Sequence, residues 1–132
     1  MSESRFLTLE DVLRLHQQLI ESFSGDVGIL NLAGLESAVA QPGMTAFGQF
    51  LHRDLVEQAA AYLFHLVANH PFCDGNKRIG LHAALVFLDT NNADVLGDPD
   101  DWYELTMGVA RSELKKTELT KRMRALIKLK SF

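Results

Sequence analysis

Two long apolar runs separated by a short polar loop constrain the fold of this 132-residue chain more than any other feature. The first run, residues 54–69, carries apolar side chains at helical spacing and stops before Pro71, because a proline disfavours helical geometry in the residue before it. The second run, residues 77–91, is apolar on nearly every face, which is typical of a central buried helix. The sequence therefore predicts two helices joined by this loop.

Helical patterns also dominate the rest of the chain. They predict helices over residues 8–24, 32–40, 99–111 and 116–130. Thr8 and Asp11 have the spacing of a capping box, and Pro99 suits the first position of a helix. The glycines and proline of residues 42–50 predict a loop or a small hairpin. The predicted fold class is all-α: one compact domain over residues 1–132, with about six helices around a central buried one and at most that hairpin.

The composition indicates a globular chain without disulfides. Apolar residues make up 47% of it and charged residues 23%, which is ordinary for a globular protein. Cys73 is the only cysteine, so no internal disulfide can form, and a reducing, cytoplasmic setting is expected. Polar and charged residues follow Met1, and no apolar stretch approaches about 20 residues, so neither a secretory leader nor a membrane span is predicted.

Charge is distributed unevenly along the chain. Residues 111–132 contain eight Lys and Arg against two Glu, whereas the net charge of the whole chain is −4. The simplest interpretation is an amphipathic C-terminal helix with a solvated basic face, and the alternative is a docking surface for an acidic partner. Direct nucleic-acid binding is not expected, because the basic residues are few and no aromatic stacking platform lies among them.

Reactive side chains are concentrated in the loop between the two apolar runs. Residues 70–78 read His-Pro-Phe-Cys-Asp-Gly-Asn-Lys-Arg and combine a base, an acid, an amide and two cations. Lys77 and Arg78 open the second helix, although a helix N-terminus disfavours cations by about 0.3–1 kcal/mol per charge. A bound anion removes this conflict, and backbone N–H groups at a helix start form a phosphate site. The loop is therefore interpreted as a phosphate-binding active site.

Transfer from a nucleotide to a hydroxyl needs a base, a divalent ion and charge neutralisation, and the loop has a candidate for each. The imidazole of His70 can accept a proton near neutral pH. The carboxylate of Asp74 can coordinate Mg²⁺ beside phosphate oxygens. Phe72 has no group that can accept a proton or coordinate a metal, and it is predicted to anchor the loop in the core.

Four consecutive residues are candidates for binding the phosphates. Gly75 permits backbone geometries that a Cβ disfavours, and Asn76 offers a side-chain amide as donor. The planar guanidinium of Arg78 suits a phosphate, and Lys77 adds a point charge. Any one of these residues has an ordinary structural explanation, such as a helix cap or a surface cation, so it is their consecutive order that favours the phosphate site.

The loop resembles the signature of the Fic/Doc family, which reads His-(Pro)-Phe-x-(Asp/Glu)-(Gly/Ala)-Asn-(Gly/Lys)-Arg. The similarity extends from about Phe6 to Asn92, and it includes residues 35–38 and 47–48 before the loop and residues 83–88 after it. The last third of the chain is similar only in its helical layout. A nine-residue match between two predicted helices is a specific signal.

The resemblance implies a helical Fic fold that uses ATP and Mg²⁺ to modify a hydroxyl side chain of another protein. It assigns His70 as the catalytic base and Asp74 as the metal ligand. It places Gly75 and Asn76 at the anion hole, and it implies that Arg78 binds a terminal phosphate.

The residue at position 77 separates two branches of the family. Members that transfer AMP usually carry glycine there, whereas members of the Doc-like (death-on-curing) branch carry lysine and transfer the γ-phosphate. This chain is mixed, because Gly75-Asn76 resembles the AMP-transferring branch and Lys77-Arg78 the kinase branch. Transfer of phosphate is favoured, because a side chain at position 77 occupies the place of a second phosphate; AMP transfer is the alternative.

The resemblance also implies macromolecular partners. Met44, Thr45, Ala46 and Phe47 fall at the flap, which binds the target protein as an added strand. Many members carry their own inhibitory helix with a Ser/Thr-x-x-x-Glu-(Gly/Asn) motif, and the sequence has none, so a small antitoxin of the Phd type is expected and the chain is interpreted as a toxin. The family's known targets are translation GTPases such as elongation factor Tu.

Two interpretations from other classes remain open on sequence grounds. One is a helical adaptor whose loop binds a nucleotide or a partner without turnover. The other is a metal site formed by His65, His70, Cys73 and His82, whose spacing matches no familiar zinc pattern.

Overall fold

The structure, a computed structural model, describes residues 4–130 and is dominated by six helices. They are α1 (Leu9–Phe23), α2 (Leu32–Ala40), α3 (Leu55–Asn69), α4 (Asn76–Thr90), α5 (Pro99–Ala110) and α6 (Lys116–Arg124). Four short strands form two separate antiparallel pairs: β1 (Thr45–Ala46) with β2 (Gln49–Phe50), and β3 (Ala93–Val95) with β4 (Ile127–Leu129). The all-α class predicted from the sequence is confirmed. The predicted single domain over residues 1–132 includes residues 1–3 and 131–132, which lie outside the described part.

Side-chain caps explain where several helices begin. At α1, the Thr8 hydroxyl accepts the Asp11 N–H while the Asp11 carboxylate accepts the Thr8 N–H, which is the predicted capping box. The same reciprocal pair forms between Asp98 and Asp101 at α5, where Pro99 occupies the first helical position as predicted. These bonds satisfy N–H groups that have no partner inside the helix.

Helices α3 and α4 pack closely along their lengths and form the centre of the molecule. A Cβ built on Gly80 of α4 would lie 2.6 Å from Cγ2 of Val67 and 3.2 Å from the carbonyl oxygen of Leu63, both on α3. The absence of a side chain at Gly80 therefore sets the distance between the two helices. Because they are antiparallel neighbours joined by a short loop, the end of α3 lies beside the start of α4.

The burial of α4 differs from the sequence expectation. One broad face of α4 is buried, but Leu81, His82, Leu85 and Val86 are only half-buried. Helix α3, in contrast, packs against α2, α4, α5 and α6. The pattern of apolar residues predicted burial on all sides of α4, whereas part of its surface borders a cavity described below.

The first pair of strands is the small hairpin predicted within residues 42–50. Thr45 pairs with Phe50 and Ala46 with Gln49, and Phe47 and Gly48 form the two-residue turn. Both turn residues have positive φ, 54° and 77°, as this tight turn requires. The Phe47 side chain is fully exposed at the tip. A positive φ is uncommon for a residue with a bulky side chain, so the tip of the hairpin has a locally strained backbone.

The second pair of strands was not predicted. The last helix was expected over residues 116–130, but it ends at Arg124, and residues 127–129 form β4 against β3. Only Ile127 of this strand is buried, whereas Lys128 and Leu129 are exposed. The antiparallel partner β3 supplies the backbone hydrogen bonds, and it is so distant in sequence (Val95 pairs with Ile127) that no local pattern reveals it.

None of the helices formed by residues 4–130 combines the length and hydrophobicity needed to cross a lipid bilayer.

Candidate active site

His70 ends helix α3 and presents an exposed imidazole at the start of the loop. It is the C-cap residue, with left-handed backbone angles of φ 47° and ψ 55°. This conformation turns the chain sharply before Pro71, and it is uncommon for a residue other than glycine. The exposed position is compatible with a role as a proton acceptor for a ligand in the adjoining cavity.

A neighbouring segment fixes the loop backbone. The carbonyl of Pro71 accepts N–H groups from Leu30 at 2.8 Å and Asn31 at 3.0 Å, and the Cys73 N–H donates to the Gly28 carbonyl at 2.9 Å. The connection between α1 and α2 therefore runs alongside the loop like a short antiparallel strand.

Phe72 anchors the loop in the core, as predicted, and it rests on a histidine that the sequence did not single out. The Phe72 ring is fully buried and stacks on His16, with ring centroids 3.6 Å apart and planes 8° apart. His16 Nε2 lies 2.7 Å from the Asp74 carbonyl oxygen, and because a carbonyl only accepts, His16 carries its proton on Nε2. His16 falls in phase with buried Val12 and Ile20 on α1, which is the signal that would have identified it.

The side-chain amide of Asn76 is hydrogen-bonded to the backbone of the loop. Its side-chain oxygen accepts the Phe72 N–H, and its side-chain nitrogen donates to the Phe72 carbonyl, both at 2.9 Å. The residue is only 6% exposed, so these two bonds satisfy backbone groups that water does not reach freely. The prediction that the side-chain amide of Asn76 donates to phosphate therefore competes with this structural role.

Asp74 is exposed and oriented by a single backbone contact. Its Oδ2 accepts the Asp26 N–H at 2.8 Å. A carboxylate held through one oxygen, beside a place for phosphate, fits Mg²⁺, which usually takes one or two protein carboxylates and completes its shell with phosphate oxygens and water. Within residues 4–130 no group of three or more His, Cys, Asp or Glu side chains is placed to hold a metal.

The N-terminus of α4 opens into the loop without a side-chain cap. Gly75 is the N-cap residue, and in the described chain no side chain accepts an N–H there. The Ile79 N–H donates to the Gly75 carbonyl at 2.9 Å, so the amides of residues 76–78 precede this first helical bond. A side-chain cap, which would have been an ordinary structural explanation for the polar residues here, is therefore not what they provide.

Gly75 cannot be replaced without strain. Its φ is +79°, a left-handed value that residues with a Cβ rarely adopt, and a Cβ would lie 3.2 Å from Cδ1 of Ile20. The glycine therefore allows the turn at which α4 begins.

Lys77 and Arg78 are exposed at this same helix end, and no ion pair within residues 4–130 includes either of them. The Arg78 guanidinium instead lies 4.3 Å above the centre of the Phe23 ring. Two cations without an ion pair at the electropositive end of a helix would stabilise an anion bound there.

A cavity of about 760 Å³ brings the loop side chains together. Its wall includes His70 and every residue from Cys73 to Arg78, while Phe72 lies beneath it in the core. The opposite wall is formed by α5. Within the described chain, the flap residues Met44, Thr45, Ala46 and Phe47 are not part of the cavity wall. The structure thus unites the predicted base, metal ligand and phosphate-binding residues, and places the flap apart.

The alternative metal site receives no support from the geometry. His65 is half-buried on α3 and its Nε2 accepts a hydrogen bond from Lys116 at 3.1 Å, so it belongs to a different cluster from His70. Cys73 is exposed at the cavity, and His82 is half-buried on α4.

The fold and the cavity define a class: a mostly helical protein in which a glycine-containing loop and an uncapped helix N-terminus line a cavity beside a histidine. A model described as "Fic/DOC family" matches residues 6–88, which covers the loop and all elements through most of α4. The chain belongs to this family.

Two relatives have named activities. The chain is 29% identical to "Protein kinase doc" of Escherichia phage P1 over 123 residues, covering 92% of this chain and 95% of that protein. It is 35% identical to "Toxin Doc" of Mycolicibacterium smegmatis over 97 residues, covering 74% of this chain and 72% of that protein. The similarity to the phage protein thus extends well beyond the residues that the family model matches.

Proposed function

We propose that this protein is a Doc-like toxin that transfers the γ-phosphate of ATP to a hydroxyl side chain of a target protein. The observation that carries the proposal is the cavity, which combines the exposed imidazole of His70 with the uncapped start of α4 and two unpaired cations. Phosphoryl transfer needs a proton acceptor, a binding site for the phosphates, and positive charge where negative charge develops in the transition state.

The reaction forms one bond and breaks one. The target hydroxyl oxygen bonds to the γ-phosphorus, and the bond from the γ-phosphorus to the β–γ bridging oxygen breaks, so ADP leaves. His70 accepts the hydroxyl proton at an imidazole nitrogen. The amides of residues 76–78, Lys77 and Arg78 stabilise the transferring and leaving phosphates. His16 and Asn76 keep the loop in the required conformation through their bonds to Asp74 and Phe72.

Asp74 would hold Mg²⁺ in this proposal. The ion would supply positive charge to the phosphate oxygens. The orientation of the carboxylate by the Asp26 N–H supports this role.

Transfer of AMP is the second candidate, and the Gly75-Asn76 pair favours it because the same pair occurs in the AMP-transferring branch. Lys77 favours phosphate transfer, since it lines the cavity and a side chain at this position would occupy the place of a second phosphate. The similarity over nearly the full chain to a protein named as a kinase supports the same choice.

The proposal includes protein partners. The exposed Phe47 at the tip of the hairpin is suited to contact a target segment that pairs with the flap strands. The relative named as a toxin supports an antitoxin of the Phd type as regulator. A translation GTPase such as elongation factor Tu is the proposed target class.

Transfer of label tests the reaction directly. Purified protein with Mg²⁺ is incubated with a cell lysate and ATP labelled at the γ- or the α-phosphate. We expect a labelled protein from γ-labelled ATP only, and a loss of roughly 100-fold or more for His70→Ala, as for other general bases. His82→Ala, a half-buried histidine outside the cavity wall, is the matched control and keeps its activity.

Other outcomes select the rival functions. Label from α-labelled ATP alone replaces the proposal by AMP transfer. ATP binding that survives His70→Ala, with no labelled product from either nucleotide, replaces it by a non-catalytic adaptor.

A further inference from the structure

A lysine and a histidine meet where α6 packs on α3, away from the cavity of the candidate active site. Lys116 is the first residue of α6, and its Nζ donates a hydrogen bond to Nε2 of His65 on α3 at 3.1 Å. A second histidine, His52, lies near enough for its charge to act on His65. The cavity is lined by other residues, so the reaction proposed above gives this cluster no role.

Packing holds the amine of Lys116 against the imidazole of His65. Helix α6 packs on α3, and the buried side chains of α6 are Leu119 and Met123. Lys116 and His65 are both half-buried. The His65 ring lies edge-on to the ring of Phe64, with centroids 5.2 Å apart and planes 84° apart. The amine is therefore held at a defined position that solvent still reaches.

The surroundings of Lys116 do little to stabilise a positive charge. In the part of the chain that the structure describes, no ion pair includes Lys116. Nε2 of His65 must be unprotonated to accept the hydrogen bond, so the neighbouring imidazole is neutral. Burial lowers the pKa of Lys116, because desolvation disfavours the charged form of an amine. A larger fraction of Lys116 than of a solvated lysine is therefore the neutral amine, which is the nucleophilic form.

We propose that Lys116 is a modification site at which a small acyl phosphate transfers its acyl group to the side-chain amine. The hydrogen bond to His65 uses an N–H of the neutral amine and leaves its lone pair for the attack, so His65 is a positioning residue. The half-buried amine favours a small donor, and the adjacent exposed cation Lys115 favours an anionic one.

The transfer forms one bond and breaks one. The ammonium of Lys116 first loses a proton to solvent. The neutral Nζ then bonds to the carbonyl carbon of the donor, and the bond from that carbon to the phosphate oxygen breaks. Inorganic phosphate leaves and takes up the proton that the nitrogen releases as the amide forms.

Acylation would remove a positive charge beside His65. The charge of Lys116 is the second cause, after burial, of the lowered pKa of His65, and the charge of His52 is the third. The pKa of His65 should therefore rise towards its ordinary value once Lys116 is acylated. The folded protein then takes up a proton at His65 earlier as the pH falls, so it should lose less stability on acidification than the unmodified protein.

The relative labelling of two adjacent lysines tests the proposal. Purified protein is treated with a limiting amount of acetyl phosphate, or in parallel with acetyl-CoA. Cleavage after Glu113 and Glu118 releases both lysines in one peptide, in which fragment masses distinguish them. We expect acetyl phosphate to modify Lys116 at least about fivefold faster than the exposed Lys115, since each unit of lowered pKa gives about tenfold more neutral amine. Acetyl-CoA, the bulkier donor, should show no such preference.

The pH dependence of labelling and three variants provide the controls. The rate at Lys116 should level off at a lower pH than that of a lysine in a short peptide, whose pKa is about 10.4. Lys116→Arg keeps the charge and should abolish this label. His65→Gln keeps an acceptor for the hydrogen bond and should keep the preference for Lys116. His65→Ala should reduce the preference to about twofold or less, with thermal unfolding as the check that the variant is folded.

Each part of the proposal has an outcome that contradicts it. Labelling of Lys116 at the same rate as Lys115, or more slowly, overturns the modification site. An equal preference for Lys116 with acetyl-CoA overturns the acyl phosphate as the donor. A preference that survives in folded His65→Ala excludes the positioning role of His65. An unchanged dependence of unfolding free energy on pH after acetylation excludes the coupling between Lys116 and His65.

Discussion

At the scale of single residues, two buried side chains determine the shape of the reactive loop. Asn76 bonds to both backbone groups of Phe72, and His16 stacks on the Phe72 ring while donating to the Asp74 carbonyl. Exposed residues with obvious chemistry, such as His70 and Lys77, depend on these buried ones for their placement. His70 and Lys77 were predicted because the residue type alone indicates their chemistry. His16 was missed because its role depends on a contact with a residue 58 positions away in sequence.

Asn76 and Lys77 are adjacent but should respond differently to truncation. Asn76→Ala leaves the buried N–H and carbonyl of Phe72 without partners, at about 1–3 kcal/mol each, and should lower Tm by about 5–15 °C. Lys77→Ala removes an exposed cation without a protein partner and should change stability by less than about 0.5 kcal/mol. Both should reduce transfer activity. Thermal unfolding with a parallel transfer assay checks this pair, and an unchanged Tm for Asn76→Ala would contradict the structural role.

At the scale of elements, the sequence predicted the helices because their signals are local. The capping pairs at α1 and α5 and the break at Pro71 depend on residues within four positions, and the corresponding boundaries agree within one residue. Strand β4 depends on β3, which is distant in sequence, so local periodicity extended α6 instead. The half-buried Leu81 of α4 was missed for a related reason, since an apolar residue that lines a cavity resembles a core residue in sequence.

The contact between α3 and α4 should tolerate no side chain at Gly80. Gly80→Ala gains about 1 kcal/mol of helix propensity but places a Cβ against Val67 and the Leu63 carbonyl, and overpacking costs about 1–3 kcal/mol. We expect a net loss of stability in chemical denaturation. Val67→Ala removes one of the two clashes, so the double variant should be more stable than the sum of the single effects. If the stability changes of the two single variants simply add in the double variant, α3 and α4 can adjust their distance freely, and the predicted clash does not exist.

At the scale of the whole molecule, a cluster away from the active site should make stability depend on pH. Burial, followed by the charges of Lys116 and His52, lowers the pKa of His65 to about 4. Burial followed by the charge of Lys116 lowers the pKa of His52 as well, while Glu57 opposes that shift. Between pH 6.5 and about 4 the unfolded chain binds a proton at His65 that the folded protein does not. Folded stability therefore decreases as the pH falls through this window.

The variant His65→Gln tests this dependence. Glutamine stays neutral and its oxygen can still accept the Lys116 hydrogen bond. Plots of the free energy of unfolding against pH from 7 to 4.5 should have a smaller slope for His65→Gln than for the wild type. The difference should be less than one proton, because solvent screens this half-buried group. An identical slope in both proteins would exclude His65 as the source of the pH dependence of stability.

The sequence predicted which chemical groups the candidate site contains, but it did not predict all the residues that form the cavity. Residues 70–78 lie together in the chain, so a motif identified most of the polar half of the cavity. The α5 wall is contributed by residues 103–110, which carry no motif and join the site only through the packing of α5 beside α4. The geometry of the fold is therefore needed to find this wall of the cavity.

A crystal structure with Mg²⁺ and a non-hydrolysable ATP analogue tests the central claim that the loop binds polyphosphate beside an imidazole. The account predicts phosphate oxygens within hydrogen-bonding distance of the amides of residues 76–78 and of the Arg78 guanidinium, with the terminal phosphate nearest His70. A nucleotide bound elsewhere on the molecule at saturating concentration, with water alone beside His70, would contradict it.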